Sequence, residues 1–140
     1  MLIRSISGVR GIVKTSLTTD VIIRYARSFH FSLPIGAIIV GRDSRQSGEE
    51  IRDCIIEELT RIGRNIIDCG IVPTPTVQFM VYHTEAIGGL VITASHNPVE
   101  WNGLKFLKKD GTFFGIRECE FLFEKFDSNE KVSNTNETGM

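Results

Sequence analysis

Residues 93–98 read Thr93-Ala94-Ser95-His96-Asn97-Pro98 and follow directly on the apolar run Gly88-Gly89-Leu90-Val91-Ile92. A hydroxyl, an imidazole and a carboxamide are thus delivered into a turn that a proline stops. Two other stretches have related chemistry. Ser5-Ile6-Ser7-Gly8-Val9-Arg10-Gly11 frames an arginine between glycines, and Gly41-Arg42-Asp43-Ser44-Arg45-Gln46-Ser47-Gly48 places two arginines before a helix start. Guanidinium groups match phosphate oxygens two bonds at a time, glycines allow close backbone approach, and helix N-termini favour negative charge. The three stretches therefore suggest phosphate binding. Each also has a plain structural reading. Arg42 and Arg45 can pair with Asp43 and neighbouring carboxylates around a capping box, and an Asn-Pro turn with a solvated histidine needs no function. Ser95 and His96 do not suit a hydrolase nucleophile and base, because adjacent residues in extended chain project to opposite sides and no G-x-S-x-G elbow is present. His30, His83 and His96 are scattered and the carboxylates form no close D-x-D cluster, so metal binding by this chain alone is poorly supported.

The elements that must position these residues alternate between two hydrophobic periods. Ala37-Ile38-Ile39-Val40, ended by Gly41, has the continuous apolar character of a strand buried on both faces. Ile51, Cys54, Ile55, Leu59 and Ile62 then form one stripe of a helix, with Ser47 and Glu50 spaced as a capping box and Gly63 placed for a left-handed end. Asn65 to Gly70 reads as a strand. Thr74-Pro75 opens a helix as N-cap and first position, with Met80 and Val81 facing inward. Ile87 to Thr93 and Gly103 to Lys108 read as strands, and Lys109-Asp110-Gly111 as a turn. An earlier helix from about Asp20 to Phe31 has Ile22, Tyr25, Ala26 and Phe29 at helical spacing. A last one from about Ile116 to Phe126 places Ile116, Cys119, Phe123 and Phe126 on one side. This alternation implies an α/β fold: a mixed, largely parallel sheet with helices on both faces, and ligand loops at the carboxyl ends of its strands. Residues 1–126 form the expected domain, and 127–140, almost without apolar residues, a polar linker or disordered tail.

Composition narrows the class. With 140 residues, 41% hydrophobic and 24% charged, the chain is one ordinary globular domain. A net charge of -1 predicts no general affinity for nucleic acid or for an anionic membrane, so attraction for anions must be local. Cys54, Cys69 and Cys119 are odd in number and widely separated, which supports neither a disulfide framework nor a structural zinc site. No window approaches the length needed to span a bilayer. A reduced cytoplasm fits these features.

Together and in this order, Ser7-Gly8-Val9-Arg10-Gly11, Gly41-Arg42-Asp43-Ser44-Arg45, Thr93-Ala94-Ser95-His96-Asn97-Pro98 and Asn102-Gly103-Leu104-Lys105 resemble the first domain of the α-D-phosphohexomutases. The likeness covers roughly Ile3 to Phe126. It implies that Ser95 carries a phosphoryl group in an enzyme that interconverts sugar 1-phosphates and 6-phosphates through a bisphosphosugar. By the same likeness Lys105 would be the general base, Arg10 would stabilise the transferring phosphoryl, and His96 would orient groups or exchange protons. A lysine base requires burial or a neighbouring cation such as Arg10, because an ammonium in water holds its proton too tightly near neutrality; a phosphate contact is the other role open to Lys105. Ser7, Arg42, Arg45, Asn97 and Asn102 would bind phosphate or shape its site. Mg2+ would be held by the phosphate on Ser95 and by ligands in later domains, and a glucose 1,6-bisphosphate-type compound would be the activator. The resemblance implies four domains, with the magnesium loop, the sugar-selecting loop and the distal phosphate clamp all in the later three. The partners implied are a hexose phosphate and those later domains, and the isolated chain would be inactive. The Phe-Gly-Thr that often precedes the first motif in that family is here replaced by Ile3-Arg4-Ser5-Ile6. The alternative is a standalone domain that keeps the fold as an anion-binding or interaction module without catalysis.

Overall fold

The structure is a computed structural model, and it describes residues 2–5, 8–94 and 96–128. In chain order its elements are β1 (Ile3–Ser5), β2 (Gly8–Ile12), α1 (Thr19–Phe31), β3 (Ile38–Arg42), α2 (Gly48–Arg61), β4 (Ile66–Ile71), α3 (Thr74–His83), β5 (Gly88–Ile92), β6 (Trp101–Leu107) and α4 (Ile116–Ser128). The strands form one six-stranded sheet in the order β1-β2-β6-β5-β3-β4. It is mixed, as expected, but its parallel part is confined to β5-β3-β4. The pairings β1 with β2, β2 with β6 and β6 with β5 are antiparallel. The expectation of a largely parallel sheet is corrected by two facts. The residues before Ile12, loop-like in sequence, form two strands, and β5 and β6 are joined by a short connection, which only antiparallel neighbours permit.

Strand alternation assigns each residue to a face. Ile38, Val40, Leu90, Ile92, Leu104 and Phe106 point to the face covered by α1, α2 and α4 and belong to the main core. There Ile22, Tyr25, Ala26 and Phe29 of α1 are all buried, as their spacing predicted. Phe29 packs on Phe106 and Phe114 with ring centroids at 5.1 and 5.5 Å; truncating such a side chain to alanine costs about 3–5 kcal/mol. The opposite face carries a smaller core of Ile39, Val91 and Leu107 under Val77 and Val81 of α3. Gly41 lets α3 sit this close, since a Cβ there would fall 2.4 Å from Val77 Cγ2. One helix against three leaves the sheet unequally covered, and the site below depends on that.

Local signals hold in some places and yield in others. Gly63 takes the left-handed conformation at φ 100°, as expected after α2. β3 runs through Gly41 to Arg42 because β4 and β5 bond both its edges there. Thr74 is the first residue of α3 rather than its cap; Pro73 holds the cap position and Pro75 follows within the first turn. On α4, Leu122 and Cys119 are buried whereas Ile116 is 65% exposed, because the helix begins beyond the edge of the core. α4 also continues to Ser128, two residues into the segment expected to be a tail. The rest of that segment, residues 129–140, lies outside the described residues. Asp127 is held by Arg4 through hydrogen bonds of 2.9 and 2.7 Å, which lower its carboxyl below the usual range. Next to it Tyr25 stacks on Phe126 at 3.9 Å and Arg24 lies over the same ring at 4.1 Å.

At the amino ends of β3 and β4 a cavity of about 480 Å³ is lined by His30, Ile35, Ala37 and Arg64 among others. Arg64 is buried, and it donates from Nε to His30 Nδ1 at 3.0 Å and from its other nitrogens to the carbonyls of Pro34, Gly36, His30 and Leu33. With those donors committed, the cavity has little to offer an anion. Burial, and then the charge of Arg64, push His30 below its ordinary pKa. The unfolded chain therefore takes up a proton that the folded one resists, and stability falls as pH drops through the unfolded value of about 6.5. Urea midpoints measured between about pH 5 and 7 should decline toward acid, and His30→Gln should flatten that slope.

Candidate functional site

β5 is buried along its whole length and bonded on both edges, to β3 in parallel and to β6 antiparallel. Its carboxyl end therefore meets the end of β3 and the start of β6. The loop 43–47, the turn 96–101 and strand β2 converge at this place, and Asp43 N donates to Ile92 O to fix the first of them. Sites in α/β sheets form at such strand ends.

The segment expected to be an arginine loop near the N-terminus is strand β2. Its glycines misled because they fit a loop, whereas here they permit close strand contact: a Cβ on Gly8 would lie 2.2 Å from Leu104 O. Arg10 sits opposite Gly103 in the ladder, and Lys105 is two residues beyond Gly103 on β6. Lys105 shares the face of Leu107, so Arg10 and Lys105 both lie on the face that α3 alone covers, on the β2 side of that face, whereas α3 packs chiefly on β3 and β5. Gly103 makes this possible. A Cβ there would meet Val9 O at 2.4 Å, Arg10 Cγ at 2.8 Å and Thr93 O at 2.9 Å. Lys105 is half-buried with Nζ 5.5 Å from the centroid of the Phe113 ring, a neighbour that sequence reasoning had not connected to it.

Asn97 joins the strand to the turn. Arg10 Nη1 donates to Asn97 Oδ1 at 3.0 Å, and Asn97 N donates to Ala94 O at 3.0 Å. His96 is exposed at the start of the turn, and Ala94 is fully buried. The structure therefore brings Arg10 and Asn97 into contact and places Lys105 on the same face as Arg10. Ser95 and Ser7, the expected phosphate carrier and phosphate contact, lie outside the described residues.

The remaining expected residues have supporting positions. Asn102 is fully buried on the face of the three helices. Its Nδ2 donates to Ser47 Oγ at 2.9 Å and its Oδ1 accepts from Gly103 N at 2.8 Å. It has no surface to give a substrate. This bond also undoes the expected capping box: Ser47 occupies the cap of α2 with helical dihedrals of -71° and -12° and makes no side-chain cap bond, while Glu50 turns toward Lys14 at 3.8 Å. Arg42 lies beneath the start of α2, its Cδ 3.4 Å from where a Cβ on Gly48 would be, and its Nε is buried without a hydrogen-bond partner. Arg45 is committed to backbone. It donates to the carbonyls of Asn97 at 2.7 Å, Pro98 at 2.7 Å and Trp101 at 3.0 Å, and Nε stands 3.4 Å from Asp43 Oδ2. Little of it remains for a phosphate. An open cleft of about 510 Å³ lies along this edge, lined by Asp43, Ser44, Arg45, Gln46, Asn97 and Val99.

Among the described residues no three His, Cys, Asp or Glu side chains are grouped to hold a metal ion. No helix among them is long and apolar enough to cross a membrane.

Gly103→Ala should displace Arg10 from Asn97, because the added carbon meets backbone carbonyls that cannot swing away. The expected result is a loss of about 2 kcal/mol or more in chemical denaturation, with the NMR resonances of β2 and residues 96–98 shifted most.

Comparison with known proteins agrees with this geometry. Residues 2–133 match the family model described as "Phosphoglucomutase/phosphomannomutase, alpha/beta/alpha domain I". A phosphoglucomutase/phosphomannomutase of Thermococcus kodakarensis is 42% identical over 111 residues, and a phosphoglucosamine mutase of Clostridioides difficile is 42% identical over 108. Each alignment covers 74% of this chain and 24% of the relative, so the chain spans about a quarter of the length of these curated relatives. A crystal structure from Thermus thermophilus, provisionally described as a phosphomannomutase, superposes with a TM-score of 0.84 at 28% identity, over 89% of this chain and 30% of that one.

Proposed function

The chain belongs to the phosphoglucomutase/phosphomannomutase family, as its alpha/beta/alpha domain I, and from that premise we propose that it supplies the phosphoserine of a hexose-phosphate mutase. The observation that supports this best is the contact of Arg10 with Asn97, the second residue after Ser95 in the sequence, on the sheet face that also carries Lys105. In this reading Ser95 bears the phosphoryl group. A hydroxyl oxygen of a sugar monophosphate attacks phosphorus, its proton passes to Lys105 Nζ, which must be neutral to receive it, and the bond from phosphorus to Ser95 Oγ breaks with its electron pair going to Oγ, which takes up a proton from solvent. The resulting bisphosphosugar then returns its other phosphate to Ser95, whose hydroxyl proton goes back to solvent, and Lys105 gives its proton to the sugar oxygen that leaves. Arg10, held at Asn97, offers fixed positive charge to the phosphoryl oxygens, and such preorganised charge is the main protein contribution in phosphoryl transfer. His96, exposed beside Ser95 in the chain, is assigned an orienting or proton-exchanging role.

The described residues form no metal cage, and the steps assigned to this chain are those of its own side chains. Magnesium enters the reading only as an ion that would be shared between the phosphate on Ser95 and ligands from further domains, where it would withdraw charge from the phosphoryl oxygens. The sugar-selecting groups are likewise assigned to a longer protein in a cytoplasmic setting, and a glucose 1,6-bisphosphate-type activator is the donor that phosphorylates Ser95. The chain alone is proposed to be inactive as a mutase.

Incubating the purified chain with glucose 1,6-bisphosphate and magnesium should introduce one phosphate, mapped by mass spectrometry to Ser95 and lost in Ser95→Ala, whose stability should stay within about 0.5 kcal/mol. Phosphate on Ser44 or Ser47 with Ser95 unlabelled, or no label at all, overturns the assignment. A coupled mutase assay on the same preparation should show no turnover. Turnover within tenfold of an ordinary enzyme rate of about 10 per second would show that further domains are dispensable.

A further inference from the structure

Arg45 lies 52 to 56 residues away in sequence from the three carbonyls it binds. Those carbonyls belong to Asn97, Pro98 and Trp101, so they bracket one turn. Within it, Asn97 N reaches back to Ala94 O at 3.0 Å and Trp101 N to Pro98 O at 2.9 Å. Trp101 already belongs to β6, but the residues before it in the turn are in no strand or helix, and Pro98, Val99 and Glu100 are exposed. Val13 N holds the carbonyl of Glu100 at 2.9 Å, and the rest of the turn depends for its shape on whatever gathers its other carbonyl oxygens. A planar guanidinium does this well, because its donors point in fixed, divergent directions. Its own aim is fixed in turn. Asp43 Oδ2 stands 3.4 Å from Arg45 Nε while Asp43 Oδ1 accepts from Arg45 N at 3.1 Å, and the Arg45 side chain is only 13% exposed. From the turn itself, the side chain of Asn97 reaches out, and its Oδ1 accepts from Arg10 Nη1. One continuous path thus leads from the end of β3 through Asp43 and Arg45 to Asn97 and on to Arg10 on β2.

We infer that Arg45 is a positioning residue, which sets the turn 96–101 and through Asn97 the direction of Arg10, and that it does not itself contact the phosphate. A lysine cannot replace it. One ammonium on a flexible stem cannot meet three carbonyls spread over five residues while its stem also runs past Asp43. The structural part of the inference stands alone; its kinetic part rests on the phosphoserine reading above.

Three measurements decide it. Amide hydrogen exchange on the chain should show Asn97 and Trp101 exchanging about tenfold faster in both Arg45→Gln and Arg45→Lys, with β3 and β5 unchanged. Exchange within about twofold of the parent chain overturns the inference. Should those variants fail to fold by circular dichroism, Asp43→Asn loosens the aim without removing the fork and should accelerate the same two amides. In the unaltered chain, separate slowly exchanging Arg45 Nη signals are also expected, and one averaged signal counts against the inference. For the kinetic part, the limiting rate of Ser95 labelling by glucose 1,6-bisphosphate should drop about tenfold or more in Arg45→Lys while the half-saturating donor concentration holds. A raised half-saturating concentration at an unchanged limiting rate would make Arg45 a substrate contact and overturn the positioning role. If the parent chain takes no label, the phosphoserine reading fails, and the exchange data still decide the role of Arg45 in the turn.

Discussion

The burial of β5 on both faces and its bonding on both edges is the constraint from which the rest of the molecule follows. A strand so placed has no freedom of register, since a slip of one residue would turn Leu90 and Ile92 out of one core and Val91 out of the other. Whatever follows it in the chain therefore emerges from a fixed point. Gly88 and Gly89 support this, one on each face of the sheet: a Cβ on Gly88 would strike Leu33 at 2.9 Å and one on Gly89 would strike Val81 at 2.6 Å. Rigidity at the strand end then passes to the neighbours, through Asp43 N on Ile92 O and Thr93 N on Gly103 O.

The unequal cover of the two faces turns this rigidity toward chemistry. Three helices close one side completely, and the buried carboxylate of Glu58 shows how tightly. Burial alone would raise its pKa, but hydrogen bonds from Arg61 and Arg27 outweigh that and the net shift is downward. The other side has only α3, over Ile39 and Val91. The sheet beyond it can hold Arg10 and Lys105 with their charged ends near solvent and their stems on the strands. A second helix there would bury two cations with no carboxylate to meet them, at a cost that folding could not bear.

How much of this was legible in the sequence depended on distance. Ile22, Tyr25, Ala26 and Phe29 announced α1 because helical spacing is a property of thirteen consecutive residues. Gly63 announced the end of α2 for the same reason. The hairpin of β1 and β2 gave no such signal, since Arg10 and its flanking glycines resemble a loop until β6 arrives to pair with them. Ser47 and Glu50 had the right spacing for a capping box, but Asn102, 55 residues away, claimed the hydroxyl first. In the site, the residue types were visible and their division of labour was not. Arg10, Arg42 and Arg45 look alike in sequence, and only their partners separate a guanidinium on a side-chain amide, one beneath a helix and one spread over three carbonyls.

The clasp of Arg4 on Asp127, with Arg24 and Tyr25 gripping Phe126, brings the first strand and the last helix together at one corner. Topologically the domain is then closer to a ring than to a line. Each surface connection between elements becomes equivalent to the gap between residues 4 and 127, and the exposed bend at Ile35, 99% accessible and far from the site, could serve as the opening if that gap were bridged by a short linker. A circularly permuted chain begun at Ile35 would retain every strand pairing described above, and would place new ends near the amino end of β3, away from its carboxyl end, where the arginine path begins.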